Sequence, residues 1–248
     1  MNLDRIIAVR NNKTVYRDGD RCLKVFNEGY SKADVLNEAL NQARIEETGL
    51  NIPRVLEVTV IDGKWTIVSD YIKGKTLAQL MQENPEKKDE YLNLFVDLQL
   101  EMHSKTCPLL NKLKDKMNRK ICQTDLSATV RYDLHTRLES MPKHNKVCHG
   151  DFNPSNVIVG DDGQLYVCDW AHATQGSPAA DVATTYLLFA LNSKDQAEAY
   201  LELYCDRADM PMQVVRQWTS IVAASELARK RNVNDEFLKN WIDVVDYQ

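Results

Sequence analysis

The chain has 248 residues, 44% of them hydrophobic and 27% charged, with a formal net charge of −5. A chain of this size buries roughly 70% of its unfolded surface on folding, and this composition excludes collagen, coiled coil and wholesale disorder. The longest apolar stretch, near 186–191, falls far short of the ~20 residues a bilayer span requires. The opening Met1-Asn-Leu-Asp4-Arg5 lacks the charged-then-apolar layout of a signal peptide, so a cytoplasmic chain is expected.

The first 75 residues read as strands with one helix among them. Residues 5–10 and 14–17 are short extended segments, Asp18-Gly19-Asp20 is a turn, and Arg21-Cys-Leu23-Lys24-Val25-Phe26 alternates as a strand does. Ser31 caps a helix, with Asp34 three residues on completing an approximate capping box. Val35, Leu36, Ala39, Leu40, Ala43 and Ile45 form the helix's apolar stripe before Gly49 stops it. After Pro53, residues 54–60 and 64–72 make two strands joined by Ile61-Asp62-Gly63. Beyond Gly74 helices take over: 86–103 is strongly periodic (Leu92, Phe95, Val96, Gln99, Met102) and 126–138 more weakly so. Val157-Ile-Val159 and Leu165-Tyr-Val167, joined by Gly160-Asp-Asp-Gly163, read as a hairpin. From Pro178 the pattern is helical to the end. The expected fold is a two-lobed α+β protein. An antiparallel sheet with one helix fills 1–74, a connector lies near 70–74, and a larger helical lobe with the hairpin fills 75–248.

Charge is uneven along the chain: 1–74 is neutral, 75–148 carries +3 and 149–248 carries −8. This acidic balance speaks against a nucleic-acid partner, and the one basic run, Lys112 to Lys120, reads as a solvated helix face. Cys22, Cys107, Cys122, Cys148, Cys168 and Cys205 form no C-x-x-C pair and read as structural thiols in a reducing compartment.

The chemistry lies in Val147-Cys-His149-Gly150-Asp151-Phe152-Asn153-Pro154-Ser155-Asn156-Val157, together with Cys168-Asp169-Trp170 at the end of the hairpin. Asp151 and Asn156 stand five residues apart on a loop that Pro154 keeps from being a regular helix, so both can face one cavity. The hairpin folds the chain back by nearly its own length and returns Asp169 beside them. Two carboxylates and an amide oxygen are hard donors that suit Mg²⁺. The carboxylate left over is what a hydroxyl acceptor needs as a base or orienter. Lys24 lies inside an apolar strand, where an unpaired ammonium is expensive. An anionic partner is therefore expected, with Glu38 on the following helix well placed and Glu28 as a competitor.

The pattern H-x-D-x-x-x-x-N followed by a strand-end aspartate matches the catalytic-loop and metal-aspartate layout of protein kinases. With Gly150 between His149 and Asp151, and Asp169-Trp170 in place of D-F-G, it resembles the aminoglycoside phosphotransferase and choline kinase superfamily. The resemblance implies Asp151 as catalytic base, Asn156 and Asp169 as Mg²⁺ ligands, and His149 as a structural residue beneath the loop. It further implies that Asp181, in Pro178-Ala-Ala-Asp181, braces the catalytic loop. Lys24 and Glu38 match the strand-lysine to helix-glutamate pair of kinases, and the backbone of Asp70 and Ile72, in Val68-Ser69-Asp70-Tyr71-Ile72, is implied to meet a purine base.

One departure stands out: no G-x-G-x-x-G precedes Lys24, and Arg10-Asn11-Asn12-Lys13-Thr14 takes its place. Its amides, with Asn12 and Lys13 among its side chains, are expected to hold the phosphates of ATP or GTP. Asp181 stands only twelve positions after Asp169, and no A-P-E follows, so a peptide acceptor is disfavoured and a small-molecule hydroxyl favoured. Glu226, Asp235, Glu236, Asp243 and Asp246 would suit a cationic alcohol such as an aminoglycoside or choline. His103 reads as a core or capping histidine. The alternative is a nucleotide-binding regulatory module without turnover.

Overall fold

A computed structural model describes residues 5–229 and 235–243. In chain order its elements are β1 Arg5–Arg10, β2 Lys13–Asp18, β3 Arg21–Phe26, α1 Lys32–Glu46, β4 Val55–Ile61, β5 Lys64–Asp70, β6 Gly74–Thr76 and α2 Leu77–Glu83. There follow α3 Lys88–Ser104, α4 Leu113–Cys122, α5 Ala128–Ser140, β7 Lys146–Cys148, β8 Val157–Gly160, β9 Leu165–Val167 and β10 Thr174–Gly176. The last five are α6 Pro178–Ala190, α7 Lys194–Arg207, α8 Met212–Arg216, α9 Thr219–Leu227 and α10 Asp235–Asp243. They form two compact units, Met1–Tyr91 with Pro154–Ala173, and Leu92–Asn153 with Thr174–Gln248.

In the first unit five antiparallel strands run in the order β1-β2-β3-β5-β4. Side chains of a strand alternate between faces, and β3 shows what that does here. Leu23 and Val25 pack with Val68 and Tyr16 on one face. Phe26 packs with Ile67 against Val35 and Ala39 of α1 on the other. Lys24 shares the α1 face with Phe26, because the two are an even number of residues apart. The apolar stripe expected on α1 is corrected. Leu36 and Leu40 are exposed, whereas Glu38, Asn41 and Gln42 are buried with Val35, Ala39 and Ile45. The polar residues face inward because each finds a partner there: Gln42 Nε2 donates to Pro53 O at 2.5 Å and Asn41 Nδ2 to Trp170 O at 3.4 Å. Ser31 caps α1 as expected, its hydroxyl accepting from the Asp34 amide. The same unit holds a three-stranded sheet, β6-β8-β9, whose last two strands are the expected hairpin. Gly74 (φ 156°) permits the close approach of β6 to β8, since a Cβ there would lie 2.1 Å from Val159 O.

Among its described residues the second unit is helical apart from the two-stranded ribbon β7-β10 and the connecting loops. Its core gathers aromatic side chains from distant stretches: Phe95 stacks on Phe152 with centroids 4.4 Å apart and meets Tyr200 edge-on. Tyr200 donates to Gln99 Oε1, so the periodic Gln99 serves inside α3 as a buried polar relay. One further expectation needs correction. Within the basic run, Lys114 donates to the carbonyls of Glu139 and Met141, and burial with the nearby Arg229 charge pushes the Lys116 pKa down to about 7. That run is therefore no uniformly solvated face.

Candidate active site

Four charged side chains meet in the first unit. Lys24 Nζ donates to Glu38 Oε1 and, at 3.2 Å, to Asp169 Oδ1. Lys13 Nζ lies 3.2 and 3.3 Å from the two Asp169 oxygens and 3.6 Å from Glu38 Oε1. The sheet register accounts for this. Lys13 pairs with Phe26 and Val15 with Lys24, so the two lysines are diagonal neighbours on one face. Burial alone works against the Lys24 ammonium, but the carboxylates of Asp169 and Glu38 more than reverse it and raise its pKa. The same balance acts on Asp169: burial opposes its charge, and Lys24 and Lys13 outweigh burial and hold its carboxyl far below the usual range. Asp169 sits in the left-handed region (φ 66°), a conformation that aspartate tolerates better than most residues. The hairpin does what its turn promised: Val157 pairs with Val167, and the Cys168 amide donates to Asn156 O at 2.8 Å, so Asn156 lies beside the residue preceding Asp169. Of the two candidates for Lys24, Glu38 is the partner and Glu28 is not. The place of Lys13 on Asp169 was missed. The signal available was its even spacing from Val15 opposite Lys24.

In the second unit the loop after β7 is braced from several sides. Asp181, 2% exposed, accepts from the His149 amide (3.0 Å), the Gly150 amide (2.6 Å) and His103 Nε2 (3.1 Å). His103 Nδ1 is 2.7 Å from the Tyr204 hydroxyl. Burial opposes the Asp181 charge. The His103 hydrogen bond, the two histidines and the His149 amide together outweigh burial and keep its carboxyl below the ordinary range. His149 is fully buried and its Nδ1 accepts from the Asp151 amide. Gly150 adopts φ 73°, and its carbonyl accepts from Arg229 at 2.8 Å. Thr185 donates to Phe152 O. The chain around Asp151 is thus held by Asp181, His149, Arg229 and Thr185. His103 is a satisfied buried histidine, as its sequence context indicated, and its partner is the loop-bracing aspartate itself. Arg229 was not foreseen, since nothing in the sequence links it to Gly150.

Asn11 and Asn12 form the tight turn between β1 and β2, and the Asn12 carbonyl accepts from the Asn27 amide. The Asp70 amide donates to Arg54 O and its carboxylate accepts from Arg54 Nε at 2.7 Å. Asp70, Tyr71 and Ile72 line a cavity of about 590 Å³ with Ile52 and Tyr166. Glu226 is paired with Arg229 at 2.8 Å, and Asp235 and Glu236 are exposed. The Asp243 side chain and Asp246 lie outside the described residues. Asp169 and Asn156 offer hard oxygens of the kind Mg²⁺ takes. Among the described residues no three His, Cys, Asp or Glu side chains gather around a metal position. This donor set suits a cation shared with substrate phosphates and not an all-protein cage.

The depressed carboxyls of Asp169 and Asp181 carry a pH consequence. Their stabilisation is complete above the unfolded carboxyl value of about 3.9 and is lost as pH falls through their lower folded values. Acid unfolding of the native chain is expected to be steep below about pH 4, and Asp181→Asn to flatten it. Unfolding midpoints across pH check this.

No helix of the described residues is long and apolar enough to cross a membrane. A model of the phosphotransferase enzyme family matches residues 5–214. Among solved structures, the chain is similar to a thermostable mutant of aminoglycoside phosphotransferase APH(4)-Ia in ternary complex with ADP and hygromycin B. The TM-score is 0.70 and the identity 14%, over 98% of this chain and 94% of that one. An aminoglycoside-3′-phosphotransferase of type VIII gives TM-score 0.67 and 17% identity over 89% and 93%. The choline kinase LicA from Streptococcus pneumoniae gives 0.59 and 16% over 98% and 92%. At these identities the likeness shows the fold.

Proposed function

The chain belongs to the phosphotransferase enzyme family and is an enzyme of the small-molecule kinase type, and from that premise we propose that it moves the γ-phosphoryl group of ATP or GTP onto a small-molecule hydroxyl. The observation that carries this reading is the Lys24 ammonium held between Glu38 and Asp169, with Asn156 returned next to Cys168 by the hairpin. In this reading residues 1–74 serve nucleotide binding and 75–248 serve catalysis and the acceptor.

Lys24, oriented by Glu38, neutralises the α- and β-phosphates. Asn12 and Lys13 take over the phosphate contacts that a glycine-rich loop supplies elsewhere. The base lies against Asp70 and Ile72, and since the Asp70 amide is already given to Arg54, it is the Asp70 carbonyl that meets it. Asn156 and Asp169 would hold Mg²⁺, which when bound would offset the negative charge of the nucleotide phosphates. Asp151 accepts or orients the acceptor proton. The acceptor oxygen then bonds the γ-phosphorus, the bridge to the β-phosphate breaks, and its electron pair leaves with the nucleoside diphosphate. His149 and Asp181 keep the Asp151 loop in place.

Cationic alcohols of the aminoglycoside or choline class are the first acceptors to try, supported by the net −8 of residues 149–248. Six free cysteines fit a reducing, cytoplasmic setting. The reading expects Mg²⁺-dependent thermal stabilisation by ATP or GTP together with nucleoside diphosphate release on an acceptor panel. Binding without turnover on every acceptor would make the chain a regulatory module. Lys24→Met is expected to lower kcat/KM by about 10²-fold or more, since it removes a charge aimed at the reacting phosphates. Lys13→Met is expected to raise KM for the nucleotide about tenfold with a smaller effect on kcat. Steady-state kinetics separate the two.

A further inference from the structure

Cys122 departs from the expectation that the six cysteines are structural: it is exposed, whereas Cys107, Cys148 and Cys205 are buried and Cys22 and Cys168 half-buried. Asn118 and Cys122 stand four residues apart on α4, hence on one face, and that face meets His135 of α5. Cys122 Sγ lies 3.5 Å from His135 Nε2, and His135 Nδ1 lies 2.7 Å from Asn118 Oδ1. With Asn118 Oδ1 accepting from Nδ1, the neutral tautomer that this pairing selects turns the lone pair of Nε2 toward the thiol. Nucleophile, base and orienter are thus in series, the arrangement that activates a weak nucleophile.

We infer that Cys122, His135 and Asn118 form a reactive-thiol site that exchanges with low-molecular-weight disulfides. His135 Nε2 takes the thiol proton, and the Cys122 sulfur attacks one sulfur of the disulfide. The new S–S bond forms as the old one breaks, the electron pair leaves on the second sulfur, and that thiolate takes the proton back from His135. Cys122 is oxidised to a mixed disulfide while half of the reagent is reduced to its thiol, so electrons balance. Cys122 ends α4, where the helix dipole disfavours an anion, so its reactivity depends on the imidazole. Selectivity follows from the other thiols: burial pushes Cys168 up to about 12 and raises Cys22 and Cys148.

The test is the reaction of the native chain with 5,5′-dithiobis(2-nitrobenzoate) at neutral pH, the adduct being located by peptide mass. Cys122 is expected to react about tenfold faster than an unstructured cysteine peptide, and Cys122→Ser to remove that phase. His135→Ala and His135→Gln are each expected to slow it about tenfold at unchanged thermal midpoint. Asn118→Ala should slow it less, and Asn118→Asp, which keeps an acceptor oxygen, should restore it. A Cys122 rate equal to the peptide's, a rate indifferent to both His135 variants, or a faster adduct on another cysteine overturns the inference.

Discussion

Alanine at Asp169 is expected to reduce phosphoryl transfer by about 10³-fold or more in kcat, because positioning and charge neutralisation supply nearly all of the acceleration in this chemistry. The same change leaves the Lys13 and Lys24 ammoniums with Glu38 as their shared carboxylate. Breaking such an ion cluster costs about 3–5 kcal/mol when fully buried. Asp169 keeps 30% of its side chain exposed, and solvent screening reduces the figure to about 1–3 kcal/mol. Denaturant midpoints and kcat measured on one preparation separate the two losses. Asp169→Asn keeps the shape and should spare more stability than activity. An Asp169→Ala enzyme with near-native kcat would remove Asp169 from the mechanism.

The second large effect is expected at Asp181, which touches no reacting atom in this account. Its buried carboxylate satisfies two backbone amides and one imidazole. Alanine would leave the His149 and Gly150 amides without that partner, at about 1–3 kcal/mol each. With the brace gone, Asp151 loses its fixed position, and misplacement of the base proposed here is expected to cost about 10²-fold in rate. Asp181→Ala should therefore lower both the unfolding midpoint and kcat, with KM for the nucleotide nearly unchanged, since the Lys13–Lys24 cluster lies in the other unit. Unchanged stability in this variant would contradict the bracing role.

Much of this is legible in the sequence. A hydrogen-bonded hairpin turn between β-branched runs is a local signal, so the return of Cys168 to Asn156 followed from the chain itself. Lys24 in an apolar strand required a carboxylate by the cost of a buried ammonium, and Glu38 lay at the right distance along the next helix. Non-local choices were not legible. Leu36 and Leu40 looked like the buried stripe of α1, but the inward face is decided by the partners of Glu38, Asn41 and Gln42, which come from Lys24, Trp170 and Pro53. Lys13 looked like a loop residue because its role depends on strand register across from Phe26. Arg229 reaches Gly150 from 79 residues away, a contact that no local pattern announces. The acidic residues near the end were grouped by sequence alone, yet Glu226 is taken by Arg229 while Asp235 and Glu236 face solvent.

The most direct test follows phosphorus itself. The chain is incubated with Mg²⁺, ATP or GTP and a panel of small alcohols, and the products are resolved by ³¹P NMR. A phosphomonoester resonance on one acceptor, growing in step with nucleoside diphosphate and absent with Asp151→Asn, is the predicted result. Phosphate appearing only as the inorganic ion or on protein side chains, or an ester formed equally well by Asp151→Asn, would contradict it.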